Sequence, residues 1–162
     1  MNEERKKHNS RKKPFSRRRY DNKNIPKIIS EVEAKLQNSI KPESLVGLNS
    51  FERKLIHRHF DHNNDFQTRT YRDGDKFTLF VYPVGNIERF AKEKAQESLS
   101  SGAEVTLPPM GSYERYIVHT TLKDMAGIET ESQGEGSERH VQIISKKFGR
   151  GLKKIAKKIK LF

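Results

Sequence analysis

Two Arg–His pairs carry the chemistry of this chain: Arg53 with His57, and Arg115 with His119. In each pair the residues are four apart, so a helix sets them one turn apart on one side. Arginine offers a planar fork of donors that suits a phosphate. Histidine adds a short-reach donor in either charge state. Together they could grip one phosphate, or a phosphate and its sugar. Downstream of the second pair lies Gly134-Glu135-Gly136, a turn where backbone N–H groups can come close to such a ligand. Gly134, Gly136, Arg139 and Tyr116 complete the candidate contact set, Tyr116 being the one aromatic placed to stack in the open. Spacing alone favours Arg and His in surface ion pairs with neighbouring acids, since i,i+4 pairs are common.

The elements that must position these pairs repeat. Ser50-Phe51-Glu52-Arg53-Lys54-Leu55-Ile56-His57 aligns with Ser112-Tyr113-Glu114-Arg115-Tyr116-Ile117-Val118-His119. The same offset pairs Asn24 with Asn86, Leu45 with Leu107, Thr68 with Thr130 and Gly74 with Gly136. Each copy reads as helix, short strand, helix, strand, strand. Ile25, Ile28, Ile29, Val32, Leu36 and Ile40 form the first helical stripe, with Asn24 as a cap and Pro26 in the first turn. Ile87, Phe90, Ala91, Ala95 and Leu99 form its counterpart, stopped by Gly102. Short strands are expected at 41–46 and 103–107. Asn49-x-x-Glu52 and Gly111-x-x-Glu114 read as capping boxes, which makes both glutamates helix caps before ligands. Hairpins follow at 66–82 around Asp73-Gly74 and at 128–144 around Gly134–Gly136. Phe60, Phe66, Phe77, Phe80 and Phe90 fall at core-like spacing.

The fold class expected is α+β: two tandem units, each a three-stranded antiparallel sheet with two helices on one face, plus a basic C-terminal helix. The boundaries are a disordered basic tail at 1–23, units at 24–85 and 86–145, and the helix at 146–162. Units this small are marginal alone, so the two should pack together.

Charge divides sharply along the chain. The 23 N-terminal residues hold ten Lys/Arg against three acids, and residues 146–162 hold eight against none. The body between them holds 15 against 18, so the net charge of +12 belongs to the tails. Basic tails draw polyanions without choosing among them. Leu152, Ile155, Ala156, Ile159 and Phe162 share one face of the last segment. It could dock on the fold, track a phosphate backbone, or lie on an anionic membrane, in that order of preference.

Tyr113–His119, preceded by Leu107-Pro108-Pro109-Met110 and followed by Glu129–Gly136, resembles the R-3-H domain, most closely as found in bacterial Jag (SpoIIIJ-associated) proteins. The resemblance covers about residues 86–145. Residues 24–85 keep Glu52-Arg53-x-x-x-His57 and Thr68, but have Tyr71-Arg72-Asp73-Gly74 at the turn. The resemblance implies binding of single-stranded nucleic acid, RNA more than DNA, through Arg115 and His119, and by extension Arg53 and His57. Jag proteins carry a KH domain upstream; no GxxG loop stands in that setting here, and a second R-3-H-like unit takes its place.

Other classes fare worse. No nucleophile has an evident partner, and no P-loop or dinucleotide loop is present, so neither an enzyme nor a cofactor is expected. His57, His59 and His62 do not share one helix face, which argues against metal. The chain has no cysteine, no apolar leader at its start and no long apolar run, which fits a cytoplasmic protein. A ribosome-associated or RNA–protein assembly role is the main alternative, with membrane-surface attachment behind it. Oligomeric state is not legible.

Overall fold

The computed structural model describes residues 24–146. The expected tail at 1–23 and all but the first residue of the expected helix at 146–162 lie outside the described residues. The fold is mixed α+β, with four helices and two small antiparallel sheets among the described residues.

The chain runs α1 (Ile25–Leu36), β1 (Glu43–Leu45), α2 (Ser50–Phe60), β2 (Gln67–Asp73) and β3 (Lys76–Tyr82). It then runs α3 (Val84–Ser101), β4 (Val105–Thr106), α4 (Ser112–Leu122), β5 (Ile128–Gln133) and β6 (His140–Ser145). A short 3-10 turn, Gly136–Glu138, lies in the second hairpin. The sheets are ordered β1-β3-β2 and β4-β6-β5, so the last strand of each half is central. The two short strands are shorter than the sequence suggests. Ahead of β4 the Ser98 hydroxyl donates to the Ala103 carbonyl at 2.7 Å, which holds the turn after α3 before pairing begins.

Asn49 caps α2 by accepting from the N–H groups of Phe51 and Glu52, while Glu52 Oε2 accepts from Asn49 N–H at 2.8 Å. At α4 the capping position is Gly111, which has no side chain, so only the return half exists: Glu114 Oε2 accepts from Gly111 N–H at 2.8 Å. Asn24 is at the N-cap of α1 without a side-chain capping bond. Its counterpart Asn86 is not a cap at all. It lies inside α3, and its Nδ2 donates to the carbonyls of Leu36 and Ser39 at 2.7 and 2.9 Å, satisfying the end of α1.

Two cores result. Ile25, Val32, Leu36, Ile56, Phe60, Leu79 and Val81 seal both helices of the first half against one sheet face. The second core joins α3, α4, β5 and β6 through Ile87, Ala91, Ile117, Val118, Leu122, Ile128 and Ile143. It also takes in Tyr82 and Phe80 from the opposite face of the first sheet. Side chains alternate along a strand, so β3 gives one set of residues to each core. The two halves therefore pack together, as units of this size require. Among the described residues no helix is long and apolar enough to cross a membrane.

Candidate functional site

Helix α4 buries Ile117, Val118 and Leu122, which leaves Arg115 and His119 along its flank. The His119 ring faces β5. Its Nδ1 lies 2.7 Å from Thr130 Oγ1 and its Nε2 lies 2.9 Å from Ser132 Oγ. Helix α2 repeats the arrangement: His57 Nδ1 is 2.5 Å from Thr68 Oγ1 and Nε2 is 2.9 Å from Thr70 Oγ1. The hydroxyls are two residues apart on one strand, hence on one face. A neutral imidazole donates from one nitrogen and accepts at the other, and a hydroxyl can do either. Both histidines are thus clamped at both nitrogens. Thr68, Thr70, Thr130 and Ser132 do not stand out as site residues in the sequence, though the repeat aligns them in pairs.

Burial pushes the His119 pKa below its ordinary 6.5, and the charge of Arg115 pushes the same way. The folded chain therefore favours the neutral ring. As pH falls, the unfolded chain takes up the proton first; stability is whole above about pH 6.5 and declines below it toward the lower folded value. Melting temperatures taken from about pH 7.5 down to about pH 5.5 should fall more for the parent than for His119→Gln, which cannot titrate. Equal slopes would show that His119 carries no such burden.

Burial also raises the pKa of Glu114, against the opposing pull of the Gly111 N–H and the Arg115 charge. Arg115 itself is loosely committed. Its Nε reaches Gly111 O at 3.4 Å, and its Nη1 is buried with no hydrogen-bond partner among the described residues. Arg53 is held more firmly: Nη1 donates to Leu48 O at 2.6 Å, and the guanidinium sits 4.5 Å from the centre of the Phe77 ring.

Tyr116 is 59% exposed and stacks on Tyr113, centroids 5.9 Å apart. Beside it opens a cleft of about 460 Å³, lined by His119, Thr120, Lys123, Glu129, Thr130 and Lys146. Tyr113 in turn carries the Arg69 guanidinium 3.7 Å from its ring centre, and its hydroxyl donates to Gln67 Oε1. Neither Tyr113 nor Arg69 was legible as a partner, because each belongs to a different half.

The turn residues lie at the end of the hairpin nearest the start of α4, where Met110 N–H bonds Arg139 O at 3.1 Å. Arg115 is one helical turn closer to that end than His119. Gly134 has φ +83°, and a Cβ there would meet the Glu138 carbonyl oxygen at 2.7 Å, so the turn closes only around glycine. Gly136 also has positive φ, +54°, and Arg139 is exposed. Of the three nearby histidines in the first half, His59 bonds Glu33 at 2.9 Å, a carboxylate partner the sequence did not suggest. No cluster of three or more metal-ligating side chains occurs among the described residues.

Comparison with known families finds the R-3-H domain over residues 85–145. That segment is an R-3-H domain. The relatives of this chain include RNA-binding protein KhpB of Clostridium symbiosum, 36% identical over 83 residues, which are 51% of this chain and 34% of that protein. The KhpB of Bacillus subtilis is 38% identical over 63 residues, 38% of this chain and 30% of that protein. The KhpB of Lactiplantibacillus plantarum is 33% identical over 64 residues, 40% and 20% of the two chains. The chain thus spans about a third or less of the relatives named. The R-3-H segment contains Arg115, Tyr116, His119, Gly134, Gly136 and Arg139, the second of the two sequence-predicted sites.

Proposed function

We propose that the protein binds single-stranded RNA through the R-3-H domain, with Arg115 on a phosphate and Tyr116 under a base. The observation that carries this is the weakly held Arg115 guanidinium, its Nε 3.4 Å from Gly111 O, next along α4 to an exposed tyrosine that already stacks on Tyr113. Its Nη1 is sealed from solvent, so contact with a phosphate falls to the remaining N–H groups of the fork. The relatives' name, RNA-binding protein, supports the polymer. Gly134 and Gly136 shape the adjoining turn, and Arg139 adds charge at its rim. His119, bonded at both nitrogens, sets the posture of α4 over β5.

Residues 24–85 are read as a second, diverged R-3-H-like copy in which Arg53 and His57 play the matching parts. The shared strand order and the shared His–hydroxyl clamp support this. The basic segments at either end add salt-sensitive affinity.

The test is fluorescence anisotropy of the full chain with a short single-stranded RNA at physiological salt. Arg53→Ala combined with Arg115→Ala should weaken binding by about tenfold or more, as expected for lost charge-assisted bonds to phosphate. Binding as tight as the parent's would falsify the assignment.

A second reading is a ribosome-associated or assembly factor. The acidic balance of residues 86–145, six Lys/Arg against ten acids, favours it, since a body of that charge suits contact with basic protein. Co-sedimentation with ribosomal particles after washing in high salt separates it from free RNA binding.

A further inference from the structure

We infer that the hairpin tip of the first half is a further contact for single-stranded nucleic acid, one that stacks an unpaired base on Phe77 and holds its phosphate with Arg53 and Arg72. This rests on the proposed RNA binding and adds a site built around a different ring.

Phe77 occupies the helix-facing side of β3 in step with Leu79 and Val81, both fully buried. At the tip of the hairpin that cover ends, and Phe77 is left 37% exposed. Two guanidiniums approach its ring, Arg53 at 4.5 Å and Arg72 at 5.6 Å from the centroid. Arg72 is directly opposite Phe77 in the β2–β3 register. Each arginine is fixed by a backbone carbonyl: Arg53 Nη1 donates to Leu48 O, and Arg72 Nε donates to Gly74 O at 2.7 Å. One donor of each fork is thereby spent on posture, which leaves other N–H groups of each for a ligand. Acids at the tip do not occupy them firmly. Asp75 lies 3.9 Å from Arg72 Nη2 with both side chains well exposed, and Asp73 is opposite Lys76.

A flat ring with pre-set planar cations over it, and part of its surface still open, is suited to a partner that is itself flat and anionic. An unpaired nucleotide is both: its base has a face to stack and its phosphate accepts a guanidinium fork. A plain polyanion would use the arginines without the ring. The feature belongs to the first half alone. At the aligned positions of the R-3-H domain, Phe77 becomes the buried Val141 and Arg72 becomes Gly134. The first half is also the less acidic, nine Lys/Arg against eight acids over residues 24–85.

The experiment uses the full chain, a fluorescein-labelled single-stranded RNA of mixed sequence, and the same strand made abasic. Phe77→Leu keeps an apolar group under the arginines and removes the stacking face. It should weaken the intact strand by roughly five- to hundredfold, the span seen when a base-stacking aromatic is lost, and leave the abasic strand unchanged. Arg72→Gln should weaken both strands. Should Phe77→Leu fail to fold, Arg72→Gln, at an exposed position, still decides. The inference is overturned if both variants match the parent while Arg115→Ala binds weakly, in which case the R-3-H reading stands. It is also overturned if Phe77→Leu loses intact and abasic strands alike, since the ring then serves only arginine posture. A parent chain that binds no single strand sinks this site and the R-3-H reading together.

Discussion

Tyr113→Ala is expected to cost about 3–5 kcal/mol of folding stability, the range for removing a large buried aromatic. The ring is 8% exposed and serves both halves at once. Tyr82 meets it edge-on at 4.6 Å, Arg69 covers it at 3.7 Å, Tyr116 stacks on it, and its hydroxyl donates to Gln67. Three of these four partners come from β2 and β3, although Tyr113 begins α4 of the R-3-H domain. Truncation opens a void in the join and leaves Arg69 without its ring. Tyr113→Phe keeps the packing and loses one hydrogen bond, so it should cost only about 1 kcal/mol. Urea unfolding of the two variants beside the parent measures both. If Tyr113→Ala lost no more than Tyr113→Phe, the two halves would not depend on this join. Tyr116 gives a second readout, since it loses the ring it stacks on.

Much of this architecture was written in local pattern. The stripes of α1 and α3, the capping glutamates and the two turns each depend on residues within one or two turns of each other. The structure has them close to where spacing puts them, except that α1 stops at Leu36 and leaves Ile40 beyond it, packed against the second core. What failed to show was whatever links residues far apart in sequence. Asn86 aligns with a capping residue, yet it closes the end of α1, some 50 positions upstream. Nothing near Asn86 signals that carbonyl. The run Phe77–Tyr82 did hold a sign of the join, for it is apolar on both faces where β6 alternates with His140 and Gln142. A strand of that kind is covered on both sides. Phe77 shows the converse limit. Its spacing is that of a core residue, and only the place where the helical cover stops leaves it open. At the candidate site, the Arg–His spacing was visible but its division of labour was not. Whether a histidine meets a ligand or a strand depends on the residue across from it. Here Thr130 and Ser132 in the R-3-H domain, and Thr68 and Thr70 in the first half, take both ring nitrogens.

That clamp leads to the second large effect. His119→Ala is expected to cost about 2–3 kcal/mol, from two hydrogen bonds of about 1 kcal/mol each and part of a half-buried ring. A double-mutant cycle with Thr130→Val isolates the bond itself, and a coupling of about 1 kcal/mol is expected for neighbours that share it. The same variants separate a brace from a ligand contact. If His119 braces, His119→Ala should unfold at lower urea yet, while folded, lose less RNA affinity than Arg115→Ala, whose stability should stay nearer the parent's. If His119 touches the RNA directly, the order of the affinity losses reverses, or the two become equal, with stability little changed. The geometry favours the brace, because a ligand would have to displace a strand hydroxyl to reach either nitrogen, and burial biases the ring toward its neutral form. Arginine and histidine recur together on this reading because the helix that presents the one must be fastened to the strand by the other.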